Sequence, residues 1–402
     1  MPRAGWVKPE TDQRLSDHIS IGVLSRVFPP ELVDRVVAEA GRTEIRRRLL
    51  PARVVVYYVL ALALFSQASY EEVMRNLVEG LSWTSGWARA WNVPTKAALF
   101  KARARLGPEP VEALFDAVAH PLATPATKGA WYRGWRLMSI DGTCVDVADT
   151  PANDRAFGRP GSGRGSGQGA FPQVRLVGVA ECGTHALVEV AVGPCRTAEQ
   201  RLAARVVGSL GPGTLCLADR GFYSFALWQE ARATGAELLW RTRSNHKLPV
   251  EERLEDGSFL SRLHGTSGST RQGDAVPVRV IEYHLEDPGR PGETRYRLLT
   301  TILDPAAAPA AELAARYAER WEFETMLDEL KTHQRGPRLV LRSKGPDGVR
   351  QELFGYLCVH YAIRWLMHAV ALDADTDPDR LSFTRSLRVA RRTTASHPGF
   401  SP

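Results

Sequence analysis

The sequence predicts an α/β protein: a mixed-sheet core, preceded by an all-α region and interrupted late by a β-rich insertion. Residues 1 to about 130 carry apolar residues at helical spacing between proline and glycine breaks. From Trp131 the texture turns to short apolar runs rich in β-branched residues. Further along, such runs alternate with amphipathic stretches, as strand-helix-strand units require.

The helices come first. "PPELVDRVVAEAGRTEIRRRLL" opens on proline and keeps a helical period. "VVVYYVLALALF", Val54 to Phe65, is apolar throughout. It reads as a buried helix, since a bilayer span needs about 20 residues. "SYEEVMRNLVEGL" has Ser69 placed as a cap with Glu72 three residues on. In "VPTKAALFKARARLG", Pro94 suits a first turn and Gly107 a C-cap. Lys96, Lys101, Arg103 and Arg105 make this helix basic, either as a DNA-reading helix or as a solvated charged face.

The core follows. "RLMSIDGTCVDVAD", "PQVRLVGVAEC" and "THALVEVAVG" predict an antiparallel meander. The glycine-rich "FGRPGSGRGSGQGAF" between the first two lacks the strand-then-helix setting of a nucleotide-binding turn and reads as a surface loop. "TAEQRLAARVVGSL" is a helix with Thr197 and Gln200 spaced as a capping box. Strand "TLCLAD", helix "SFALWQEARATG" and strand "AELLWRTR" form a parallel unit. Residues 245–305 are the insertion, with strands in "VPVRVIEYHL" and "TRYRLLTTIL". A long helix opens near Pro309, and "RQELFGYLCVHYAIRWLMHAVAL" should pack beneath the sheet. The domain reading is 1–130 helical (DNA-binding if its basic helix reads DNA), 131–244 and 306–372 the two parts of the core, 245–305 the insertion, and 373–402 a basic flexible tail.

Bulk chemistry narrows the function classes. A net charge of +7 and a pI near 9.3 favour an anionic partner such as nucleic acid. The five cysteines form no CxxC pair and no ligand spacing with histidine, which argues against a zinc site and a disulfide framework. Free thiols and the lack of a signal-peptide pattern predict a cytoplasmic protein with no membrane association.

Four residues in "YAERWEFETMLDELK" set the chemical question. At about 100° per residue, Tyr317, Arg320, Glu324 and Lys331 fall within about 60° of arc. Phe323, Met326, Leu327 and Leu330 occupy a neighbouring apolar arc. The row is either an ordinary charged solvent face or half of a site. Asp141 follows "LMSI" and Asp219 follows "LCLA", at the sheet edge where α/β proteins bind ligands. Each alone would serve as a turn cap. With Glu324 they make three carboxylates whose repulsion a hard divalent cation relieves. Two Mg²⁺ ions about 3.5–4 Å apart suit in-line phosphoryl transfer. Arg320 and Lys331 could then hold phosphates.

The Y-x2-R-x3-E-x6-K spacing, with "SIDGT" and "LADRGF" around the two aspartates, resembles the transposases of the IS4 family. The resemblance implies a ribonuclease-H-like core bearing a DDE triad, with Asp141, Asp219 and Glu324 as metal ligands. It implies cut-and-paste DNA transposition: Mg²⁺-dependent cleavage at terminal inverted repeats, then strand transfer, with Mn²⁺ able to substitute. Tyr317, Arg320 and Lys331 would contact transposon-end phosphates. The partners would be transposon ends and target DNA, with a homodimer in the DNA complex at the bacterial nucleoid. Some members use a base-flipping tryptophan in the insertion, where this chain offers Tyr296, which can still stack on a base. Arg241 on the last core strand would approach DNA, while its neighbour Trp240 and Trp321 would pack in the core. Two alternatives are a non-catalytic DNA-binding protein descended from a transposase and a metal-dependent nuclease of the same fold.

Overall fold

The computed structural model describes residues 21–46, 50–84, 94–161, 169–265, 275–284, 295–336 and 340–396. After a 3₁₀ turn at Gly22–Arg26, five α-helices follow: α1 (Pro30–Glu39), α2 (Ala52–Leu64), α3 (Tyr70–Thr84), α4 (Lys96–Leu106) and α5 (Glu109–Val118). The predicted cap on α3 forms, with Glu72 N–H donating to Ser69 Oγ at 3.2 Å. On α4 Thr95 is the cap, so Pro94 lies just before the helix rather than in its first turn, and Gly107 ends the helix at a positive φ of 73°. The chain turns there as only glycine does readily.

The core begins with β1 (Trp131–Tyr132) and β2 (Trp135–Asp146), then α6 (Pro151–Phe157), β3 (Gln173–Glu181) and β4 (Ala186–Pro194). The meander is as predicted, with β2–β3 and β3–β4 antiparallel. The sequence reading had missed α6, a short helix capped by Thr150, and most of the glycine-rich loop (162–168) lies outside the described residues. Next come α7 (Glu199–Val206), β5 (Thr214–Ala218), α8 (Phe225–Ala233) and β6 (Glu237–Arg241), with β5 parallel to both β2 and β6. The capping box expected on α7 does not form: its N-cap is Ala198, and Gln200 donates instead to the carbonyls of Gly221 and Tyr223.

The insertion supplies β7 (Glu252–Arg253), β8 (Phe259–Leu263), β9 (Val276–His284) and β10 (Arg295–Thr300). These strands extend the core sheet, because β10 pairs antiparallel with β6, opposing Leu299 to Trp240. The strand order is β4-β3-β2-β5-β6-β10-β9-β8-β7, with β1 beside β2. The last helices are α9 (Ala310–Tyr317), a 3₁₀ turn Ala318–Arg320, α10 (Trp321–Asp328), a π-helical turn Glu329–Gln334, α11 (Pro346–Asp373) and α12 (Phe383–Ser396). α12 replaces part of the expected flexible tail and buries Phe383, Leu387 and Ala390.

Period-2 alternation sorts the strand residues into two faces. Met138, Ile140, Cys216, Ala218 and Leu238 pack with Leu202 and Val206 of α7 and Leu227 and Trp228 of α8. Leu137, Leu215, Leu217 and Leu239 pack with Leu313 and Tyr317 of α9. α11 does not lie simply beneath the sheet. It runs between sheet and N-terminal helices, and a single cluster joins Val54–Leu64, Phe115, Phe323, Met326 and Leu353–Ile363. Gly355 permits the close crossing of α2 and α11, since a Cβ there would sit 3.0 Å from Val59 Cγ1 and 3.3 Å from Val59 O. Among the described residues, no helix is long and apolar enough to cross a membrane.

The same packing reassigns Arg103. It is buried in α4, donating to Gln351 Oε1 at 3.1 Å, Ser343 Oγ at 3.2 Å and the Gly348 carbonyl at 3.3 Å. Arg103 therefore ties α4 to the N-terminal end of α11 and does not face DNA. Arg103→Ala should lower urea-unfolding stability by about 1–3 kcal/mol, because it strands buried acceptors. The exposed Lys101→Ala should stay within about 0.5 kcal/mol of wild type. Equal stability of the two variants would refute this assignment.

Candidate functional site

The parallel register of β2 and β5 creates the site. Ile140 pairs with Ala218, so Asp141 and Asp219 follow side by side where the parallel ladder stops. Asp141 does not end its strand as expected, since β2 continues antiparallel to β3 through Asp146. Leu137 on β2 and Leu215 and Leu217 on β5 face α9, so alternation turns Asp141 and Asp219 toward the same side. The helical run bearing Glu324 covers that side.

Arg320 joins the two halves. Its Nη1 donates to Asp141 Oδ2 at 3.2 Å and its Nη2 to Glu324 Oε1 at 3.0 Å. The guanidinium is 8% exposed, against 47% for the Glu324 side chain and 34% for Asp219, so the site opens toward solvent on the carboxylate side. Burial pushes the Asp141 carboxyl up to about 6, opposed by the Gly142 N–H and Arg320 and reinforced by the negative charges of Glu324 and Asp219. The three carboxylates thus share one field, though as a set they do not close to within 4.8 Å of one another. Three hard oxygen donors with excess negative charge fit a divalent cation.

The remaining signature residues play unequal parts. Tyr317 is buried, and its hydroxyl donates to the Ala218 carbonyl at 3.4 Å. It braces the end of β5 and is not available to a phosphate in this conformation, which corrects the expected contact. Lys331 is half-buried, within electrostatic reach of Asp141, Cys144 and Asp146 on β2; burial draws its ammonium pKa down. Its place does not follow from an unbroken α-helix, because the π turn starting at Glu329 intervenes after Glu324. Beside Asp219, Arg241 Nη1 lies 3.9 Å from Oδ1, and the Arg241 guanidinium sits 4.1 Å from the centre of the Tyr296 ring. Tyr296 in turn stacks on Tyr283 at 5.3 Å. Trp240 is buried as expected. Trp321 is not: it is 45% exposed, with the Arg320 guanidinium 5.4 Å from its ring. Lys96 and Lys101 are exposed on α4, well separated in sequence from these residues.

The sequence reading missed a second charged cluster, formed by His185, Glu322, Glu329, His360, Arg364 and Asp379. Glu322 and Glu329 stand seven residues apart on the signature run, and His360 and Arg364 four apart on the otherwise apolar α11; those spacings were the available signal. His185 Nε2 lies 3.2 Å from Asp379 Oδ1 and 3.7 Å from Glu322 Oε2. These three ligand-type groups lie within 4.8 Å of one another, a spacing that would suit a metal. The proton inventory argues otherwise. Arg364 Nη2 contacts His185 Nδ1, and an arginine nitrogen can only donate, so in this arrangement Nε2 carries the ring proton and has no lone pair for a cation, although it closes no hydrogen bond to the carboxylates.

Comparison with known proteins defines the class. A family model described as a transposase DDE domain matches residues 134–362, and one described as the insertion element 4 transposase N-terminal domain matches residues 18–116. The chain belongs to the IS4-type DDE transposases, DNA-binding enzymes that depend on divalent metal. It is 32% identical over 387 residues to the transposase InsG for insertion sequence element IS4 of Escherichia coli K12, covering 94% of this chain and 84% of that one. It is 26% identical over 275 residues to the putative transposase InsZ of the same organism, covering 67% of this chain and 88% of the relative. Its fold is similar to that in a cryo-EM structure of a piggyBac transposase synaptic complex with hairpin DNA: TM-score 0.50, 13% identity, 93% of this chain and 79% of that one. That neighbour supports the ribonuclease-H-like core.

The raised Asp141 pKa has a measurable consequence. Below about pH 6 the carboxyl holds a proton that a cation bound there would have to displace; near neutral pH it is largely ionised. Apparent Mn²⁺ affinity should therefore fall by up to roughly tenfold per pH unit below about 6 through this group alone. Calorimetry in two buffers should find more proton release near pH 5 than near pH 7.5. Affinity and proton release independent of pH would contradict it.

Proposed function

We propose that this transposase works by cut-and-paste, cleaving DNA at terminal inverted repeats and joining the freed ends to target DNA, with Asp141, Asp219 and Glu324 as its metal-holding carboxylates. The observation that carries the assignment is the Arg320 fork, which binds Asp141 and Glu324 beside Asp219. Mg²⁺ is the preferred ion, since the donors are all carboxylate oxygens, and Mn²⁺ meets the same requirement. When bound, a pair of such ions would activate the attacking water or 3′-hydroxyl and stabilise the leaving oxygen.

The chain's own residues supply the rest. Arg320 keeps Asp141 and Glu324 in register, and Tyr317 keeps the Asp219 strand end rigid through the Ala218 carbonyl. Lys331 offers a cation to a phosphate on the same side. The Arg241–Tyr296–Tyr283 stack presents π-faces and a positive charge beside Asp219, suited to an unpaired base near the cleaved end. Residues 1–130 are assigned to DNA recognition, with Lys96 and Lys101 as exposed phosphate contacts. Two copies are expected in the DNA complex, one for each transposon end.

Asp141→Asn, Asp219→Asn and Glu324→Gln should each abolish cleavage of a terminal-repeat duplex, a loss of at least about 10³-fold, while binding in Ca²⁺ persists. Wild-type-like cleavage by any one would remove that residue from the site. Binding by the wild-type chain without cleavage in Mg²⁺ or Mn²⁺ would indicate a non-catalytic descendant. Hydrolysis without any joined product would indicate a nuclease.

A further inference from the structure

The signature run has a second face. Glu322 and Glu324 are two residues apart on α10, so their side chains project about 160° from each other. Glu324 faces Asp141 and solvent, while Glu322 and Glu329 enter the buried cluster behind. There Glu329, only 8% exposed, accepts from Arg364 Nε at 2.9 Å and from His360 Nε2 at 3.1 Å, and also pairs with Arg364 Nη2. Burial works against its charge, but His185, His360 and Arg364 outweigh it and hold the carboxyl far below the usual range. His185, on the β3–β4 turn, links this group to Asp379 and Glu322, and the Gly183 N–H donates to Glu322.

Glu329 is the first residue of the π turn. The last is also anchored: the Gln334 carbonyl accepts from Ser66 Oγ at 2.7 Å and Arg391 Nη2 at 3.2 Å, and its side chain donates to the Tyr356 carbonyl at 3.0 Å. A π turn is rare and persists where its surroundings hold it. Relaxation to ordinary α-helix would change the rotation of every later residue about the helix axis. Lys331 lies inside the turn, two residues after Glu329.

We propose that Glu329 is a positioning residue: locked by Arg364 and His360, it holds the π turn that keeps Lys331 on the Asp141 side of the helix. It acts through Lys331 and touches no substrate. The proposal rests on the reading of Lys331 as a phosphate contact beside the candidate carboxylates.

A double-mutant cycle with Glu329→Gln and Lys331→Ala in the full chain tests it. Two readouts are taken on a terminal-repeat duplex: single-turnover cleavage in Mn²⁺ and equilibrium binding in Ca²⁺. Glu329→Gln should reduce the cleavage rate or the DNA affinity by about tenfold at a temperature where circular dichroism shows it folded, and that loss should vanish in the Lys331→Ala background. A merely structural role would lower the unfolding midpoint and leave the two losses additive. Additive losses, or wild-type behaviour of Glu329→Gln in both readouts, would overturn the proposal. If Glu329→Gln does not fold, His360→Asn, which alters only one donor to the carboxylate, enters the same cycle under the same criteria. If the wild-type chain binds but does not cut, the catalytic reading fails on its own, and the binding cycle still decides the role of Glu329.

Discussion

One guanidinium joins sheet to helix at the candidate site. Arg320 has both terminal nitrogens committed, one to a strand carboxylate and one to a helix carboxylate, and is almost wholly enclosed. Without it, Asp141 and Glu324 would repel across the joint between the sheet and the helical layer. The fork does not bring Asp141 back to the ordinary carboxylate range: burial chiefly holds it above, and the negative charges of Glu324 and Asp219 add to the rise. An incompletely neutralised carboxylate group at a solvent-open edge is suited to take up hard cations.

The sheet makes this arrangement possible by changing its pairing at Asp141. Up to Ile140, β2 has a parallel neighbour in β5; beyond it the antiparallel β3 continues, and the other edge has left β5 and is met again only at Asp146, by Leu341. The two aspartates stand at that change, where side chains can leave the apolar layer without unpairing buried backbone. The insertion strands bring Tyr296 to the same edge, because β10 pairs directly on β6 beside Arg241. The N-terminal helices are no separate appendage in packing terms. α2 shares its core with α11, and α11 carries the arginine that holds Glu329.

Much of this was legible in the sequence because it rests on short-range rules. Alternation and turn residues gave the meander, and the apolar "LCLA" and "ELLW" runs gave the parallel pair around α8. The four-residue signature pointed to the right helical run because the 3₁₀ turn Ala318–Arg320 between Tyr317 and Glu324 still brings Arg320 to both Asp141 and Glu324. Lys331 was harder to place, since no local pattern signals a π turn that depends on contacts from Ser66, Arg364 and Arg391, all distant in sequence. Arg103 failed as a DNA contact for a similar reason: burial of a charged residue depends on partners about 240 residues away. The α6 helix left a legible trace, Thr150 before Pro151 with Gly158 at its end, but seven residues are too few for a periodic signal.

The two sides of the signature run follow opposite electrostatic designs. On the front, Asp219 and Glu324 are partly exposed and under-compensated, with Arg320 shared between two acids. On the back, Glu329 and Arg364 are enclosed and closely paired, with His360 as a further donor to Glu329. A face that must exchange ions and phosphates gains from unsatisfied charge, since a fully paired carboxylate would have to break bonds to bind anything. A face that must hold a helix against that exchange gains from the close pairing of Glu329, because losing a partner for a buried charge is costly. The acids at positions 322 and 329 and the acid at 324 thus look alike in composition but do different work, and burial, rather than residue type, separates them.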